Sequence, residues 1–218
     1  MFLFQETYYV TPGLQDIVDQ RVRSLHENHA FNPKFVAMDW MKDLGDATTY
    51  LAFRLWRDQD VTYNEAQTAW MAEYNRSRPA DAFTQPPDID YFEQVHQFGK
   101  SGNATFLIYA DLRIGGRSPA MGLEDELREQ LRAAEGLEEY RLFRSLGGEN
   151  RFVRAEFWRT QDGAVQFWRH DDRRDLMNRL AAVATRGLPR MRHYAVLHQL
   201  GDPGAILQSA AHAAEAPG

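Results

Sequence analysis

The chain has 218 residues, of which 44% are hydrophobic and 12% aromatic, so it carries enough apolar surface for a packed core and global disorder is excluded. Its formal charge is −6, from 31 acidic and 25 basic residues, which predicts no nucleic-acid partner because nucleic-acid binding needs a basic surface. Cysteine is absent, which excludes disulfides and thiolate metal sites. The N-terminal residues lack a signal-peptide pattern and no apolar run approaches the roughly 20 residues of a membrane span, so we expect a soluble, cytoplasmic protein without membrane contact.

A short motif occurs twice in the chain at one fixed offset. Trp56-Arg57-Asp58-Gln59-Asp60 returns 102 residues later as Trp158-Arg159-Thr160-Gln161-Asp162. The same offset relates His96-Gln97-Phe98-Gly99 to His198-Gln199-Leu200-Gly201, and Leu44-Gly45 to Leu146-Gly147. Three matches in one ungapped register predict two copies of a unit of about a hundred residues. We therefore expect repeat one over 1–100, repeat two over 104–202 and a flexible tail over 203–218.

The elements of repeat one are predicted from its apolar patterning. Thr11 and Pro12 are predicted to be the N-cap and first residue of a helix that ends before Asn32-Pro33. This helix carries the apolar stripe Leu14, Ile17, Val18, Val22 and Leu25. Asp60 or Thr62 can cap a second helix that continues through Tyr74. The predicted strands of repeat one are Phe2 to Val10, Phe35 to Asp43, Thr48 to Arg57 and Tyr91 to Phe98.

Repeat two follows the same plan with one change. Its predicted helices are Leu123 to Ala134, Ala164 to His170 and a further helix, Asp175 to Arg186, where repeat one has a proline-rich loop. Its predicted strands are Thr105 to Arg113, Glu139 to Ser145, Phe152 to Arg159 and Arg192 to Leu200. The order in each repeat is β-α-β-β-α-β, the ferredoxin-like split unit. The predicted fold class is α+β.

The third strand of repeat one has two unlike faces, because strand side chains alternate. Thr49, Leu51, Phe53 and Leu55 form an aliphatic face, which we expect beneath the helices. Tyr50, Ala52, Arg54 and Trp56 form the other face, which we expect to line an interior between the two sheets. The repeat offset relates Arg54 to Glu156, so these charges are predicted to meet as a ligand-orienting pair or, alternatively, to form a structural bridge or a solvated rim pair.

Two ferredoxin-like units, each with a Trp closing strand three and an acidic helix start after it, resemble a fused dimeric α+β barrel. The pattern is similar to that of the antibiotic biosynthesis monooxygenase family and its tandem relatives, over roughly residues 2 to 201. Trp56 with Trp70, and Trp158 with His170, match its Trp followed by an aromatic residue or His late in the next helix. The resemblance implies a pocket between sheet and helices and a monooxygenase-like activity. Ala52 and Arg154 stand where the anthrone-oxidising type has Asn, which argues against direct cofactor-free oxygenation.

The sequence thus offers one set of candidate site residues and two classes of function. The first class is a monooxygenase-like enzyme acting on an aromatic or flat substrate, with no metal; the second is a non-catalytic ligand-binding or accessory protein. The candidate catalytic residues are Arg54, Tyr74 and His170. The candidate substrate-binding residues are Met38, Trp40, Tyr50, Trp56, Trp70, Asn75, Glu156 and Trp158.

The histidines leave further alternatives. The resemblance implies a haem-binding variant in which His170 is the proximal ligand, whereas the main expectation is that no cofactor is bound. His96 and His198, which the repeat retains, are expected to have a folding role. His26 and His29 have the spacing of metal ligands at a helix end, but without a third ligand they are expected to be a solvated pair. The expected partner is a small molecule, and the chain is expected to be a monomer or a homodimer through surfaces outside the barrel.

Overall fold

The computed structural model of the chain describes residues 1–29, 32–64, 72–73, 76–77, 79, 81–114, 119–148, 150–183 and 189–201, without the side chains of 26–28 and 62–63. The strands are β1 (Phe2–Tyr9), β2 (Phe35–Asp43), β3 (Thr49–Trp56), β4 (Asp88–Gly99), β5 (Phe106–Arg113), β6 (Leu137–Ser145), β7 (Arg151–Trp158) and β8 (Arg190–Gly201). The helices are α1 (Gln15–His29), α2 (Gln59–Asn64), α3 (Pro119–Arg132), α4 (Gln161–Arg169) and α5 (Asp171–Val183). No helix of these described residues is long and apolar enough to span a membrane.

The chain divides into two compact units that do not coincide with the two sequence repeats. Unit one contains residues 1–91 and 197–218, and unit two contains 92–196. The boundaries between them fall inside β4 and β8, the last strand of each repeat. Both strands therefore contribute residues to each of the two units. The repeat boundaries expected from the sequence, at 100 and 104, stay a prediction.

In unit one, β3 lies between β1 and β2 in an antiparallel sheet, and β8 adjoins β2. Phe4 pairs with Arg54 across β1 and β3, and Met38 pairs with Arg54 across β2 and β3. Val18, Val22 and Leu25 of α1 pack onto this sheet and form its helix-side core with side chains of β2 and β3. The helix therefore covers one face of the sheet, as a ferredoxin-like unit requires.

Unit two repeats the arrangement, with β7 between β5 and β6, β8 beside β5 and β4 beside β6. Its helix-side core combines Leu127 and Leu131 of α3 with Phe167 of α4 and Leu176 of α5. The strand order over the chain is β1-β3-β2-β8-β5-β7-β6-β4, in which the last strand of each repeat pairs with the second strand of the other. This confirms the α+β class and the two ferredoxin-like repeats, in the strand order of a dimeric α+β barrel.

The helix-facing side of β3 was assigned wrongly from the sequence. Tyr50 and Ala52 lie in the core cluster with α1, so the face with Arg54 and Trp56 lies beneath the helix and the aliphatic face lies on the opposite side. Every residue of β3 is buried, so hydrophobicity could not distinguish the two faces. Arg54 and, by the same alternation in β7, Glu156 lie on helix-facing surfaces rather than on the faces predicted to line the interior between the sheets.

The helix starts also differ from those predicted. α1 begins at Gln15, after Thr11-Pro12, and Gly13 between them adopts φ +90°, which is incompatible with a helical turn there. α2 begins at Gln59, before the predicted caps Asp60 and Thr62. In repeat two, α4 begins after Thr160, whose hydroxyl oxygen accepts a hydrogen bond from the Gly163 amide. The offset of 102 residues therefore relates the starts of α2 and α4.

Candidate functional site

A buried charged cluster lies on the helix-facing side of the sheet in unit one. Arg54, on the central strand β3, is 3% exposed and forms an ion pair with Glu6 of β1, which is 6% exposed. The hydroxyl of Tyr8, also on β1, donates a hydrogen bond of 2.6 Å to Glu6 Oε2 and accepts one of 3.5 Å from Arg54 Nη2. Tyr8 is half-buried, so the cluster reaches the accessible surface through its phenol ring. We call Glu6, Tyr8 and Arg54 the Arg54 cluster.

Pairing across the strands explains why these three side chains meet. Glu6 lies opposite Ala52 and Tyr8 lies opposite Tyr50, while Phe4 lies opposite Arg54. Paired residues of an antiparallel sheet point to the same face with Cβ atoms about 5 Å apart, so long side chains at diagonal positions can touch. Cζ of Arg54 also lies 4.5 Å from the ring centroid of Phe4, which is a cation–π contact.

An aromatic wall adjoins the Arg54 cluster. The ring of Tyr8 contacts the rings of Trp40 and Phe83, at centroid distances of 5.5 and 5.3 Å. Trp40 stacks on Tyr50 at 5.0 Å, and its indole N–H donates a hydrogen bond of 2.7 Å to Asp19 of α1. Burial, together with the nearby carboxylates of Asp19 and Asp16, raises the pKa of Tyr50 to about 12. Tyr50 therefore stays protonated at neutral pH and acts as part of the wall.

Trp56 lies two residues beyond Arg54 on the same strand face but belongs to a separate aromatic group. Its ring is 5.3 Å from that of Phe35 and 5.3 Å from the imidazole of His29, which ends α1. His29 is fully buried, so the expectation of a solvated His26–His29 pair is wrong for His29; the side chain of His26 lies outside the described residues. Nδ1 of His29 lies 3.0 Å from the Leu25 carbonyl, and burial lowers the pKa of His29 to about 4.

Unit two has a different charged network on its helix-facing surface. Arg154 of β7 donates from Nη1 to Glu124 of α3 at 2.7 Å and from Nε to Glu156 of β7 at 2.8 Å. All three side chains are 0% exposed, and the hydroxyl of Tyr140 donates to Glu124 at 3.1 Å. Glu156 also accepts hydrogen bonds from the indole N–H groups of Trp158, at 3.2 Å, and Trp168, at 3.0 Å. Each carboxylate therefore has at least two donors.

Burial is the largest influence on the pKa values of this network. Burial raises the pKa of Glu156, although Arg154 and the two indoles oppose the shift. Burial alone would lower the pKa of Arg154, but the carboxylates of Glu124 and Glu156 outweigh it and keep the guanidinium charged. Tyr140 has a pKa well above its usual value because it is buried beside Glu124. The arrangement is that of a buried, internally paired core.

The structure brings together some of the predicted site residues and not others. Met38, Trp40, Tyr50, Arg54 and Trp56 share the helix-facing surface of unit one. Glu156 and Trp158 lie together in unit two. Trp70, Tyr74 and Asn75 lie outside the described residues. Arg54 and Glu156 each have a partner within their own unit, Glu6 and Arg154 respectively, and a direct pair between them stays a prediction.

His170 has surroundings that do not fit a haem ligand. It is exposed and ends α4, where its backbone N–H bonds to the Phe167 carbonyl. Its neighbour Trp168 is engaged with Glu156. A haem-binding imidazole is held against an apolar pocket that encloses the porphyrin, and an exposed helix end supplies none. Among the residues that the structure describes, no group of three or more His, Asp or Glu could hold a metal ion.

Several residues of these clusters were missed by sequence reasoning. Glu6 lies on the same face of β1 as Phe4 and Tyr8, so strand alternation was the available signal that a carboxylate shares a face with aromatic rings. Glu124 lies four residues after Ala120 and three before Leu127, within the buried stripe of α3. A carboxylate in an apolar stripe needs a buried partner, which the structure supplies in Arg154.

The repeated His-Gln motif has a structural contact in both copies. Gln97 donates to Glu139 at 2.6 Å in unit two, and Gln199 donates to Asp39 at 2.8 Å in unit one. In each case the glutamine, on the last strand of one repeat, bonds to a carboxylate on the second strand of the other. His96 is exposed. These contacts give the Gln of each copy a structural role, and the folding role expected for His96 and His198 stays a prediction.

The comparisons with known proteins bear on family and fold. The model of the family "Antibiotic biosynthesis monooxygenase" matches residues 123–179, which lie in unit two. No curated protein matches the sequence of the chain.

Solved structures share the fold over nearly the whole chain. A candidate monooxygenase from Fusobacterium nucleatum subsp. nucleatum superposes with a TM-score of 0.76 at 11% identity, covering 92% of this chain and 94% of that one. An anthrone oxidase-like protein gives 0.62 at 14% identity, covering 93% of each chain. A heme-degrading enzyme from Listeria monocytogenes gives 0.56 at 8% identity, covering 89% and 99%. The chain thus resembles the antibiotic biosynthesis monooxygenase family in fold throughout and in sequence over 123–179.

Proposed function

We propose that unit one binds a flat phenolic molecule beside the Arg54 cluster and that the chain acts on it as a monooxygenase-like enzyme. The observation that carries this proposal is the cluster itself, in which a buried ion pair and a half-buried phenol adjoin a wall of aromatic rings. A flat ligand gains contact area from the rings and orientation from a few polar groups. Tyr8 is the group of the cluster that such a ligand meets first.

Each group of the Arg54 cluster has a definite chemical role in this proposal. Glu6 accepts a proton from a phenol or an acidic C–H group of the ligand, directly or through the Tyr8 hydroxyl, to which it is already hydrogen-bonded. Arg54 stabilises the resulting anion. With an anthrone, the electron-rich anion then reduces dioxygen: the ring CH2 becomes C=O, and one oxygen atom and the two hydrogen atoms leave as water. The substrate supplies all the electrons, so the balance needs no further reductant.

Binding without turnover is the second candidate function. Ala52 and Arg154 occupy the positions at which the anthrone-oxidising type of the family has Asn, and in unit two Arg154 is engaged by Glu124 and Glu156. A fused protein that has kept the aromatic wall and lost this Asn would bind the same ligands and leave them unchanged. The fold similarity to monooxygenases and to a heme-degrading enzyme is compatible with either candidate.

Paired tyrosine variants test the binding site. Tyr8→Phe removes only the hydroxyl of the cluster, whereas Tyr9→Phe removes the neighbouring hydroxyl, which bonds to Asp88 on the other face of β1. With 1,8-dihydroxyanthraquinone as the probe, calorimetric titration should show a dissociation constant raised about 5- to 10-fold by Tyr8→Phe and unchanged by Tyr9→Phe. Equal effects of the two variants, or no binding by the wild-type chain, would remove the proposed site.

Arg54 and Glu6 test the roles of the two charges. Arg54→Met leaves the Glu6 carboxylate buried without its cation, and we expect a loss of about 3–5 kcal/mol of stability. The double variant Arg54→Met with Glu6→Gln should recover most of that loss. Probe affinity in the recovered fold then separates site from scaffold: a ligand role for Arg54 predicts weakening by about 1.5–3 kcal/mol, and a purely structural pair predicts unchanged affinity.

Turnover is tested by oxygen consumption. With 1,8-dihydroxy-9-anthrone, an enzyme consumes one dioxygen per anthraquinone formed, and Glu6→Gln should reduce the rate at least 100-fold if Glu6 is the general base. Tight binding of the anthraquinone without oxygen consumption would favour the binding protein. The visible spectrum of the purified chain tests the haem alternative. A Soret band would show that haem is bound and would contradict both proposed functions.

A further inference from the structure

The surface of unit two that corresponds to the proposed site has different residues at nearly every position. Strand pairing defines the correspondence: Phe4 lies opposite Arg54 in unit one, and Ile108 lies opposite Glu156 in unit two. In the same register, Glu6 and Tyr8 are replaced by Ala110 and Leu112. Both replacements are buried and aliphatic. The half-buried phenol that gives access in unit one therefore has no counterpart among the described strand residues of unit two.

In unit two, the charged strand residues Arg154 and Glu156 form hydrogen bonds with side chains of the helices. Glu124 comes from α3 and bonds to Arg154 at 2.7 Å, and Trp168 comes from α4 and bonds to Glu156 at 3.0 Å. The indole of Trp168 also lies over the guanidinium of Arg154, with 5.6 Å between its ring centroid and Cζ. A planar ring with one N–H thus contacts Arg154 and Glu156, two of the three charged residues of the network. These are the contacts that a flat aromatic ligand with one donor group would make.

By the sequence offset alone, Trp168 has a small counterpart in repeat one, which lies outside the described residues. The starts of α2 and α4 are related by the offset of 102 residues, and by that offset Trp168 corresponds to Ala66. An alanine methyl carries neither a ring nor a donor. The indole N–H of Trp168 donates a hydrogen bond to Glu156, and by the same offset Glu156 corresponds to Arg54. The ring on the helix and the carboxylate on the strand therefore differ together between the repeats.

We infer that Trp168 is an internal ligand, which occupies in unit two the place that the small molecule takes in unit one, so that the chain binds one molecule and not two. The stoichiometry rests on the proposed function, whereas the role of Trp168 rests on unit two alone. Removing the indole leaves a site that accepts a free aromatic molecule with one N–H or O–H donor. Arg154 Nη2, which is buried and has no hydrogen-bond partner among the described residues, is then available to a second polar group of such a molecule.

Chemical rescue by indole tests the role of Trp168. Indole at about ten times its dissociation constant should raise the Tm of the Trp168→Ala chain by roughly 2–5 °C and leave the wild-type Tm unchanged. Trp168→Phe is the matched control, because phenylalanine keeps a ring in place and should not respond to indole. If Trp168→Ala fails to fold alone, refolding it with and without indole gives the same comparison through the yield of folded protein. Equal responses of the alanine and phenylalanine variants would overturn the inference.

Stoichiometry is tested with 1,8-dihydroxyanthraquinone. The wild-type chain should bind one molecule, and Trp168→Ala should bind two, with Tyr8→Phe weakening only the first. Two molecules bound by the wild-type chain, one of them lost in Trp168→Tyr, would overturn the inference and leave the proposed function standing. Failure of the wild-type chain to bind the probe would overturn the proposed function and the stoichiometry, while indole rescue would still decide the role of Trp168.

Discussion

Nη1 of Arg154 lies 2.7 Å from Oε2 of Glu124, and neither side chain is exposed to solvent. The pair joins the central strand of unit two to α3, and Nε of Arg154 extends it to Glu156. Two carboxylates share one guanidinium in a fully buried place, and the indole N–H groups of Trp158 and Trp168 and the phenol of Tyr140 donate further hydrogen bonds to them. Removing one member alone leaves buried polar groups of the others without a partner.

Removing the cation of this network should therefore be costly. We expect Arg154→Met to lower the free energy of unfolding by about 3–5 kcal/mol, because Glu124 and Glu156 remain buried without a counter-charge. Adding Glu124→Leu should recover part of the loss. The control is Arg174→Met, which removes the cation of the exposed Arg174–Asp171 ion pair. It should change the free energy of unfolding by less than about 0.5 kcal/mol. Urea midpoints measure all three, and similar losses at Arg154 and Arg174 would contradict the buried network.

Two glycines, Gly99 and Gly201, end the last strand of each repeat. Gly99, with φ +77°, would place a Cβ 2.1 Å from the carbonyl oxygen of Glu138, and Gly201, with φ +89°, would place one 2.1 Å from that of Val36. Glu138 and Val36 are related by the repeat offset, so both copies of the His-Gln motif end in the same close backbone approach. A side chain at either position meets backbone that cannot move aside, in addition to the unfavourable positive φ.

Alanine substitution separates these two costs. We expect Gly136→Ala, at φ +82° with nothing within 4 Å of its Cβ, to lose about 1–2 kcal/mol from the left-handed conformation alone. Gly99→Ala and Gly201→Ala should lose about 1–3 kcal/mol more from the backbone contact. Gly102→Ala, at an ordinary φ and in open space, is the neutral control. Thermal and urea unfolding of the four variants rank the costs, and a loss at Gly99 no greater than at Gly136 would disprove the close approach.

The repeated Trp should be a core residue in both units. Trp56 and Trp158 are 1% and 0% exposed, and each closes the central strand of its sheet. Truncation of either to Ala should lower the free energy of unfolding by about 3–5 kcal/mol. Trp158→Phe keeps an aromatic ring but loses the N–H that donates to Glu156. It should therefore lower the free energy of unfolding less than Trp158→Ala does and more than Trp56→Phe does. The free energies of unfolding are measured by urea denaturation. Losses of less than about 1 kcal/mol for both alanine variants would place the motif at the surface.

Sequence patterning predicted the strands well because they follow the repeat. β2 was predicted with its observed bounds, Phe35 to Asp43, and β3 within one residue at each end. The side chains that share a face with Arg54 also followed from alternation alone. Which face meets the helix did not follow, because all eight residues of β3 are buried and both faces are therefore apolar enough to be covered.

The partners of the charges could not be found without strand register. Glu6 and Arg54 are 48 positions apart in the chain, and only the pairing of β1 with β3 brings them together. The repeat offset suggested Glu156 instead, because it relates equivalent positions and carries no information about contacts. Glu124 reaches Arg154 from a helix, a contact that depends on the packing of α3 on the sheet rather than on any local pattern.

Cutting the chain tests the strand exchange. Residues 92–99 of β4 pair with β6, and Gly201 of β8 packs against Val36 of β2, so neither half of the sequence contains a complete unit. We expect chains 1–102 and 103–218 to be insoluble or unfolded when expressed separately, and to form a 1:1 complex when expressed together. Size-exclusion chromatography with light scattering measures this. Two halves that are separately soluble, monomeric and cooperatively folded would contradict the fused arrangement.

His29 should make the stability of the chain depend on pH below neutrality. Its folded pKa of about 4 lies below the ordinary value of 6.5, so between these values the unfolded chain binds the proton and the folded chain does not. The stability that neutral His29 contributes is present above pH 6.5 and is lost as the pH falls towards 4. Between pH 7 and pH 5 this loss amounts to about 2 kcal/mol. His29→Gln keeps a donor for the Leu25 carbonyl but cannot titrate, so it should remove that part of the pH dependence. Urea unfolding of both proteins at pH 7, 6 and 5 measures the difference; parallel pH profiles would show that the imidazole is not buried as a neutral group.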